Sequence, residues 1–155
     1  MNITGTSGND FINAQSIFYP ESGDDYIQGF EGDDYLIGGE GDDTILGGDG
    51  NDRLVGGYDD DVLYGGIGAD KFDLIKPSGF DTIEDFNKTE GDIIYLDSYV
   101  KGEPLSIVQY RLNLSGQGVE VVNSLTNQVI VYVVNTSDIT IGSYFDFPAL
   151  TALNV

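Results

Sequence analysis

A repeat of nine residues begins at Gly38, and it constrains the fold more than any other feature of this chain. Each repeat opens with two glycines, usually has another glycine at position four, and places Asp at position six and an apolar residue at position eight. The Asp positions are Asp43, Asp52, Asp61 and Asp70, and the apolar positions are Ile45, Leu54, Leu63 and Phe72. An acidic linker would not need this regularity, so the pattern indicates stacked copies of one short unit.

Each repeat divides into a turn and a strand. Glycine adopts positive φ at little cost, so the glycine-rich half can turn tightly and bring backbone carbonyls close together. The other half, such as Thr44-Ile45-Leu46, allows a brief strand whose middle side chain points inward. Two repeats would then form one turn of a flattened right-handed coil. Because Ca²⁺ takes about six to eight oxygen ligands, the Asp and carbonyl oxygens of repeats i and i+2 are candidate ligands.

The repeat extends on both sides of this central stretch. Further pairs of Asp and apolar residues in register are Asp10 with Ile12, Asp25 with Ile27, Asp34 with Leu36 and Asp81 with Ile83. Residues 14–19 are an insertion, Phe30 replaces a second-position glycine, and Asp59 replaces a fourth-position glycine. The register slips after Asp73. We therefore expect a parallel β-roll over residues 5–85.

Composition excludes several kinds of chemistry and partner. The chain of 155 residues suits one domain, and it contains neither His nor Cys. Zinc and copper sites, disulfides and thiol or imidazole catalysis are therefore not expected. The net charge of −21 makes nucleic acids and anionic membranes poor partners. No apolar run approaches the ~18 residues of a transmembrane helix, and the first residues lack the pattern of a signal peptide.

The acidic residues are concentrated in the repeats. Residues 1–85 hold 20 of the 27 carboxylates and 17 of the 22 glycines. Such a segment buries little apolar area and its charges repel, so alone it should be disordered. Cations would have to neutralise it before it could fold.

The composition changes from about residue 85. Residues 92–97, 108–114, 119–123 and 129–134 have the character of strands, and Ile139 and Ile141 mark a last short one. We expect antiparallel strands over residues 86–142 that cap the roll, because an open solenoid end would expose core and backbone edges. No long helical period is present.

Residues 5–85 resemble the RTX (hemolysin-type calcium-binding) repeats of exported bacterial proteins. Residues 68–86 and 91–97 resemble the segment that ends the β-roll in serralysin-type proteases and alginate epimerase R-modules. The resemblance implies an all-β fold over residues 1–155, a right-handed parallel β-roll capped by C-terminal antiparallel strands. It also implies type I secretion through an ABC-type exporter, with residues 143–155 as a candidate uncleaved signal, and an extracellular or cell-surface location.

Carried over residue by residue, the resemblance implies about four to six Ca²⁺ ions between the turns. Side-chain ligands would pair on one edge as Asp25 with Asp43, Asp43 with Asp61 and Asp61 with Asp81. On the other edge they would pair as Asp10 with Asp34, Asp34 with Asp52 and Asp52 with Asp70. Carbonyl ligands would come from Gly23, Gly32, Gly39, Gly41, Gly48, Gly50, Gly57, Gly66 and Gly68. The acids at position five, namely Asp24, Asp33, Asp42 and Asp60, are expected to be solvated surface charge.

The function expected from these features is calcium-driven folding of an exported module, without catalysis. Neighbouring carboxylates such as Asp42 and Asp43 could in principle act in glycoside hydrolysis, but the repeat explains them and no activated nucleophile is visible. One alternative is a calcium-dependent module for adhesion or glycan binding, because Tyr26, Tyr35 and Tyr64 fall at outward positions. Another is a module that supports a catalytic domain of a longer protein.

Overall fold

The computed structural model describes residues 1–13, 23–74, 79–95, 108–112, 118–123, 128–134 and 141–142, which contain strands and no helix. The strands of the first part are β1 Asn2–Thr4, β2 Phe11–Asn13, β3 Tyr26–Glu31, β4 Tyr35–Glu40, β5 Thr44–Asp49, β6 Arg53–Tyr58, β7 Val62–Ile67, β8 Lys71–Asp73, β9 Asp81–Ile83 and β10 Ile93–Tyr95. Four more follow: β11 Val108–Leu112, β12 Gly118–Asn123, β13 Gln128–Val134 and β14 Ile141–Gly142.

Consecutive strands alternate between two sheets. Sheet A has the order β1-β3-β5-β7-β9-β13-β12-β11, and sheet B has the order β14-β10-β8-β6-β4-β2. From β1 to β10 all pairing is parallel, and Ile45 lies opposite Ile27 on one side and Leu63 on the other. Each step within a sheet therefore advances by two repeats. This is the predicted parallel β-solenoid, in which two repeats make one turn.

The core lies between the two sheets and consists mainly of the position-eight side chains, with Leu74, Phe86 and Val133 also buried in it. Fully buried members are Ile27, Leu36, Ile45, Leu54, Leu63, Phe72, Ile83 and Ile94. Phe86 closes on this column, with its ring centroid 6.2 Å from that of Phe72. Burying each such side chain stabilises the fold by about 1.5–3 kcal/mol. Because there is only one per repeat, the core is thin for a chain of this charge.

The turns adopt the left-handed backbone that the glycine spacing predicts. From Gly32 to Gly68 the second- and fourth-position glycines have positive φ, for example Gly39 at 131° and Gly41 at 114°. Phe30 and Asp59, which replace glycine in this stretch, keep the same backbone, with φ of 87° and 76°. A side chain in this region costs about 1–2 kcal/mol. Stacking on neighbouring turns therefore imposes the conformation where the residue itself disfavours it.

The strands after residue 86 join both sheets. Strands β11, β12 and β13 pair antiparallel, with a register shift between Val121 and Val122. However, β13 pairs in parallel with β9, and β14 pairs in parallel with β10. Parallel stacking thus runs past residue 85, because the exposed edges of β9 and β10 take these strands as partners. That the later strands cap the roll remains a prediction, and residues 14–19 and 143–155 lie outside the described residues.

Candidate metal sites

Two lines of Asp residues run along the two edges of the roll, each residue standing at the end of a turn. The first line is Asp25, Asp43, Asp61 and Asp81, and the second is Asp10, Asp34, Asp52 and Asp70. Within each line, the backbone N–H of one Asp donates a hydrogen bond to Oδ1 of the next. The distances are 2.8, 2.9 and 3.2 Å in the first line and 2.8, 2.8 and 2.8 Å in the second. All six predicted pairs are therefore brought together.

The second oxygen of most of these carboxylates has no partner. Oδ2 is buried and accepts no hydrogen bond within the described part of the chain at Asp34, Asp43, Asp52, Asp61 and Asp70. These five residues are 0–3% exposed. A buried, uncompensated carboxylate oxygen is costly unless a cation or a donor faces it. The fold thus holds carboxylate oxygens in places where a cation or a hydrogen-bond donor is needed.

The first glycine of each repeat leaves room beside these oxygens. A β-carbon added to Gly47 would lie 2.5 Å from the carbonyl oxygen of Gly65 and closer still to Oδ2 of Asp52. The same arrangement recurs at Gly38, where the added carbon would lie 2.6 Å from the carbonyl oxygen of Gly56 and close to Oδ2 of Asp43. A carboxylate oxygen and a carbonyl oxygen therefore border one space. This donor set fits Ca²⁺, which binds carboxylate and carbonyl oxygens.

The backbone carbonyls that were predicted as calcium ligands also face the gaps between turns. A β-carbon on Gly50 would collide with the carbonyl oxygen of Gly32, and one on Gly66 with that of Gly48. These carbonyls therefore point along the stack, toward the turn two repeats later. Sequence reasoning named the second and fourth glycines and missed the carbonyls of the first, such as Gly65. The available signal was the glycine doublet. The first glycine of each doublet does not have positive φ, so backbone conformation alone does not explain why this residue is glycine.

Burial changes the acidity of the two Asp lines. Desolvation, with smaller contributions from neighbouring carboxylates, raises the pKa of Asp43 and Asp52 to about 6 and that of Asp61 to about 8. Desolvation likewise raises the pKa of Asp70 and Asp81 to about 7. Without a cation these groups therefore resist ionisation. A divalent cation in the same space would reverse the preference.

Residues 2–16, 21–45 and 46–74 match the family model of the RTX calcium-binding nonapeptide repeat, in four copies. The chain carries RTX calcium-binding repeats. Their β-roll is a structural calcium-binding unit, and this agrees with the all-oxygen donor set of the Asp lines. The matched residues include every Asp of the two lines except Asp81.

This RTX chain is similar to a solved structure. The chain is 21% identical to the AlgE6R3 subunit of the Azotobacter vinelandii mannuronan C5-epimerase, known from a solution structure, over 97% of this chain and 87% of that one. The TM-score is 0.34, so the fold assignment rests on this chain's own strands and repeats. None of the curated proteins matches the chain.

The ends of the Asp lines differ from the middle of the RTX stack. Thr6 donates to Oδ2 of Asp10 from its backbone N–H at 2.6 Å and from its hydroxyl at 3.0 Å. The amino group of Met1 lies 2.6 Å from Oδ1 of Asp25. At Asp10 and Asp25, the first members of the two lines, groups of the protein itself therefore supply a hydrogen-bond donor or a positive charge to the carboxylate.

The second line continues past the RTX matches to a residue that sequence reasoning missed. Oδ1 of Asp92 accepts a hydrogen bond from the N–H of Asp70 at 3.0 Å, as within the lines. The available signal was Gly91-Asp92-Ile93-Ile94, which places an apolar residue two positions after Asp. The spacing to Asp70 is 22 residues, whereas the internal steps from Asp34 to Asp52 and from Asp52 to Asp70 are 18. Because the spacing differs, the period of the repeat did not predict Asp92 as the next member of the line.

Position five of the RTX turns forms a second ladder. These acids are exposed, as expected, but each also accepts a hydrogen bond from the backbone of the next turn. On one edge, Oδ1 of Asp24 accepts from Asp42 N–H at 3.1 Å, and Oδ1 of Asp42 from Asp60 N–H at 3.0 Å. On the other edge, Oδ1 of Asp33 accepts from Asn51 N–H at 2.8 Å. The side chain at position five accepts a hydrogen bond from the following turn, and the side chain at position six accepts one from the preceding turn. Together these two sets of hydrogen bonds fix the register.

Carboxylates alone do not complete a metal site. Among the described residues, no group of three acidic side chains converges closely enough to hold an ion. Each candidate site in the RTX stack must therefore combine two Asp side chains with backbone carbonyls. Within the same residues, no helix has the length and hydropathy needed to cross a bilayer.

Proposed function

We propose that this chain is a non-catalytic module of an exported bacterial protein, whose RTX repeats fold when they bind extracellular Ca²⁺. The observation that carries the proposal is the set of buried Oδ2 atoms without partners, at Asp34, Asp43, Asp52, Asp61 and Asp70. Such oxygens destabilise a metal-free roll and become ligands in a calcium-loaded one.

The charge balance supports a folding switch. Residues 1–85 carry 20 carboxylates that repel one another and 17 glycines whose ordering costs conformational entropy. One apolar side chain per repeat is too little to offset both terms. Each Ca²⁺ adds two positive charges and links turns two repeats apart, so its binding free energy becomes folding free energy. Because neighbouring sites share an Asp, occupation should be cooperative.

The ions would lie between successive members of each Asp line, about four to six in all. The side-chain ligands would be Asp10, Asp25, Asp34, Asp43, Asp52, Asp61, Asp70 and Asp81. Backbone carbonyls of the turn glycines would complete the shells. When bound, calcium supplies charge neutralisation and cross-linking. The chain's own residues supply the stacked turns and a dry surrounding, so no chemical step is assigned to the module.

Export is the setting in which such a switch is useful. Extracellular calcium modules typically respond at about 10⁻⁴–10⁻³ M, far above cytosolic levels. The repeats would stay unfolded inside the cell, pass through an ABC-type exporter, and fold outside. Residues 143–155, which lie outside the described residues, are the candidate secretion signal.

Circular dichroism during a calcium titration, with and without residues 143–155, tests the assignment. Both proteins should become β-rich at millimolar calcium if residues 143–155 are only a secretion signal and the repeats fold on binding calcium. A deletion variant that no longer folds would place residues 143–155 in the fold. A passenger fused to about the last 60 residues should leave cells that carry the cognate exporter. Retention of that fusion would reject the signal.

A second candidate function is calcium-dependent adhesion or glycan binding. It is favoured by Tyr26 and Tyr64 in sheet A, which are 40% and 37% exposed and could stack on sugar rings. The calcium-loaded protein should then bind on a glycan array, and Tyr26→Ala with Tyr64→Ala should abolish the signal. Binding that survives both substitutions would place the ligand elsewhere.

A further inference from the structure

The turn formed by residues 85–92 connects β9 to β10 and stacks on the turn formed by residues 65–70. It follows the last residue that matches the RTX repeat, residue 74. Its final residue, Asp92, is 2% exposed, and its Oδ1 accepts the N–H of Asp70. Oδ2 of Asp92 accepts the N–H of Asn87 at 2.7 Å, which fixes the orientation of the carboxylate. The contact to Asp70 is the one that links neighbours within the Asp lines.

An unsatisfied oxygen lies in the turn on which residues 85–92 stack. Asp70 is 0% exposed, and its Oδ2 has no partner among the described residues. A β-carbon on Gly65 would overlap that oxygen, so Oδ2 lies against the glycine. The backbone of Gly65 also contacts Asp85, whose oxygens accept the N–H groups of Gly65 at 2.8 Å and Gly66 at 2.9 Å. The carboxylates of Asp70 and Asp85 therefore both contact Gly65.

This end of the second line carries a carboxylate at a position where the interior turns have glycine. Asp85 stands where the RTX turns have their first glycine, and its oxygens accept the N–H groups of Gly65 and Gly66. The step from Asp70 to Asp92 is thus bordered by the two members of the line and by one further carboxylate at the first-glycine position.

We propose a further calcium site between residues 65–70 and residues 85–92, with Asp70 and Asp92 as side-chain ligands and Asp85 as an adjacent negative charge. This inference rests on the proposed function, because it uses the same cation and the same kind of link. It extends the second line one step beyond the matched repeats. The additional charge makes this site the tightest of its line, so its ion is the last that a chelator removes.

Equilibrium dialysis of the full-length protein with Ca²⁺, followed by competition with a chelator, tests the site. Asp92→Asn should bind one ion fewer than the parent while reaching the parent's circular dichroism spectrum at saturating calcium. Asp85→Asn should keep the ion count and weaken the tightest ion by about tenfold, the scale of one nearby charge. Glu40→Gln, which removes an exposed charge from a distant turn, should leave both quantities unchanged.

The outcomes separate this site from the module's general function. A parent that binds no calcium rejects the proposed function, and the site with it. A parent that binds calcium, with Asp92→Asn matching it in ion count and affinity, rejects only the site. If Asp92→Asn does not regain the parent's circular dichroism spectrum, the affinity of the tightest ion in Asp85→Asn decides whether the site exists. A tightest ion of unchanged affinity in that variant overturns the site, and a weakened one supports it.

Discussion

The backbone N–H of Asp43 donates a 2.9 Å hydrogen bond to Oδ1 of Asp61, which lies 18 residues farther along the chain. Both side chains are 1% exposed, and Oδ2 of each has no partner among the described residues. One oxygen of Asp61 therefore fixes the register between turns, while the other is available to a cation. The register of the stack and the proposed metal site thus depend on the same side chain.

Substitutions at Leu54 and Asp52 should have different effects, although the two residues are close in sequence. Leu54→Asp places a charge in the core and forfeits about 2 kcal/mol of burial, so the protein should not fold at any calcium level. Asp52→Ala removes a ligand from two neighbouring sites and should raise the calcium midpoint by about tenfold or more. A calcium titration followed by circular dichroism measures both effects.

The solvent-facing Glu40→Gln is the control for a lost charge, and its midpoint should equal the parent's. If Leu54→Asp and Asp52→Ala both gave the parent's midpoint, the assignment of the core and of the edges would be wrong.

The sequence was sufficient to predict the roll because its period carries two independent signals. Position eight predicted the core at Ile45 and Leu54, which are fully buried in opposite sheets. Position six predicted the Asp pairs, and even Asp81, beyond the register slip, accepts the N–H of Asp61. A fixed period fixes which residues stack, so neither result needed knowledge of side-chain contacts.

Features outside the period could not be read in this way. Asp85 and Asp92 act at the end of the stack through a longer turn, so their spacing carries no repeat signal. Val55 falls at an outward position yet is only 3% exposed, which the repeat does not predict. The hydrogen bonds of position five, as at Asp33, depend on rotamers that the spacing does not specify.

Asp59→Gly should stabilise the calcium-loaded protein. Asp59 has φ 76°, which glycine adopts without the cost of about 1 kcal/mol or more that a side chain incurs. The loss of its 3.3 Å contact from Gly41 N–H is a smaller effect, because that bond is long and exposed. Thermal unfolding at saturating calcium should show a higher Tm.

Asp49→Gly is the matched control, because it makes the same exchange at an exposed residue, the last of β5, that does not have positive φ. This variant should be destabilised or unchanged. A gain of equal size in both variants would attribute the effect to the removed charge and not to the backbone.

Acid should weaken calcium binding and favour the metal-free roll. In the metal-free fold, burial raises the pKa of Asp43 to about 6 and that of Asp61 to about 8, from an ordinary 3.8. The folded state then binds more protons than the unfolded chain, so its stability is highest below pH 3.8 and falls as pH rises through 6 to 8. Protons also compete with calcium for the same oxygens.

Because the metal-free chain is unfolded at neutral pH, its carboxylates begin to bind protons only near their ordinary pKa of 3.8, and the calcium midpoint should be higher at pH 4 than at pH 8. Equal midpoints at these two pH values would contradict the assignment of Asp43 and Asp61 as ligands.

Calcium as the driving force of folding is tested most directly by far-UV circular dichroism of one sample in chelator, then in magnesium, then in millimolar calcium. The expected spectrum is disordered in chelator and remains so in magnesium, which prefers a small octahedral shell and keeps its waters. It should become β-rich only when calcium is added. A β-rich spectrum already present in chelator would show that calcium binds to a preformed roll and does not drive its folding.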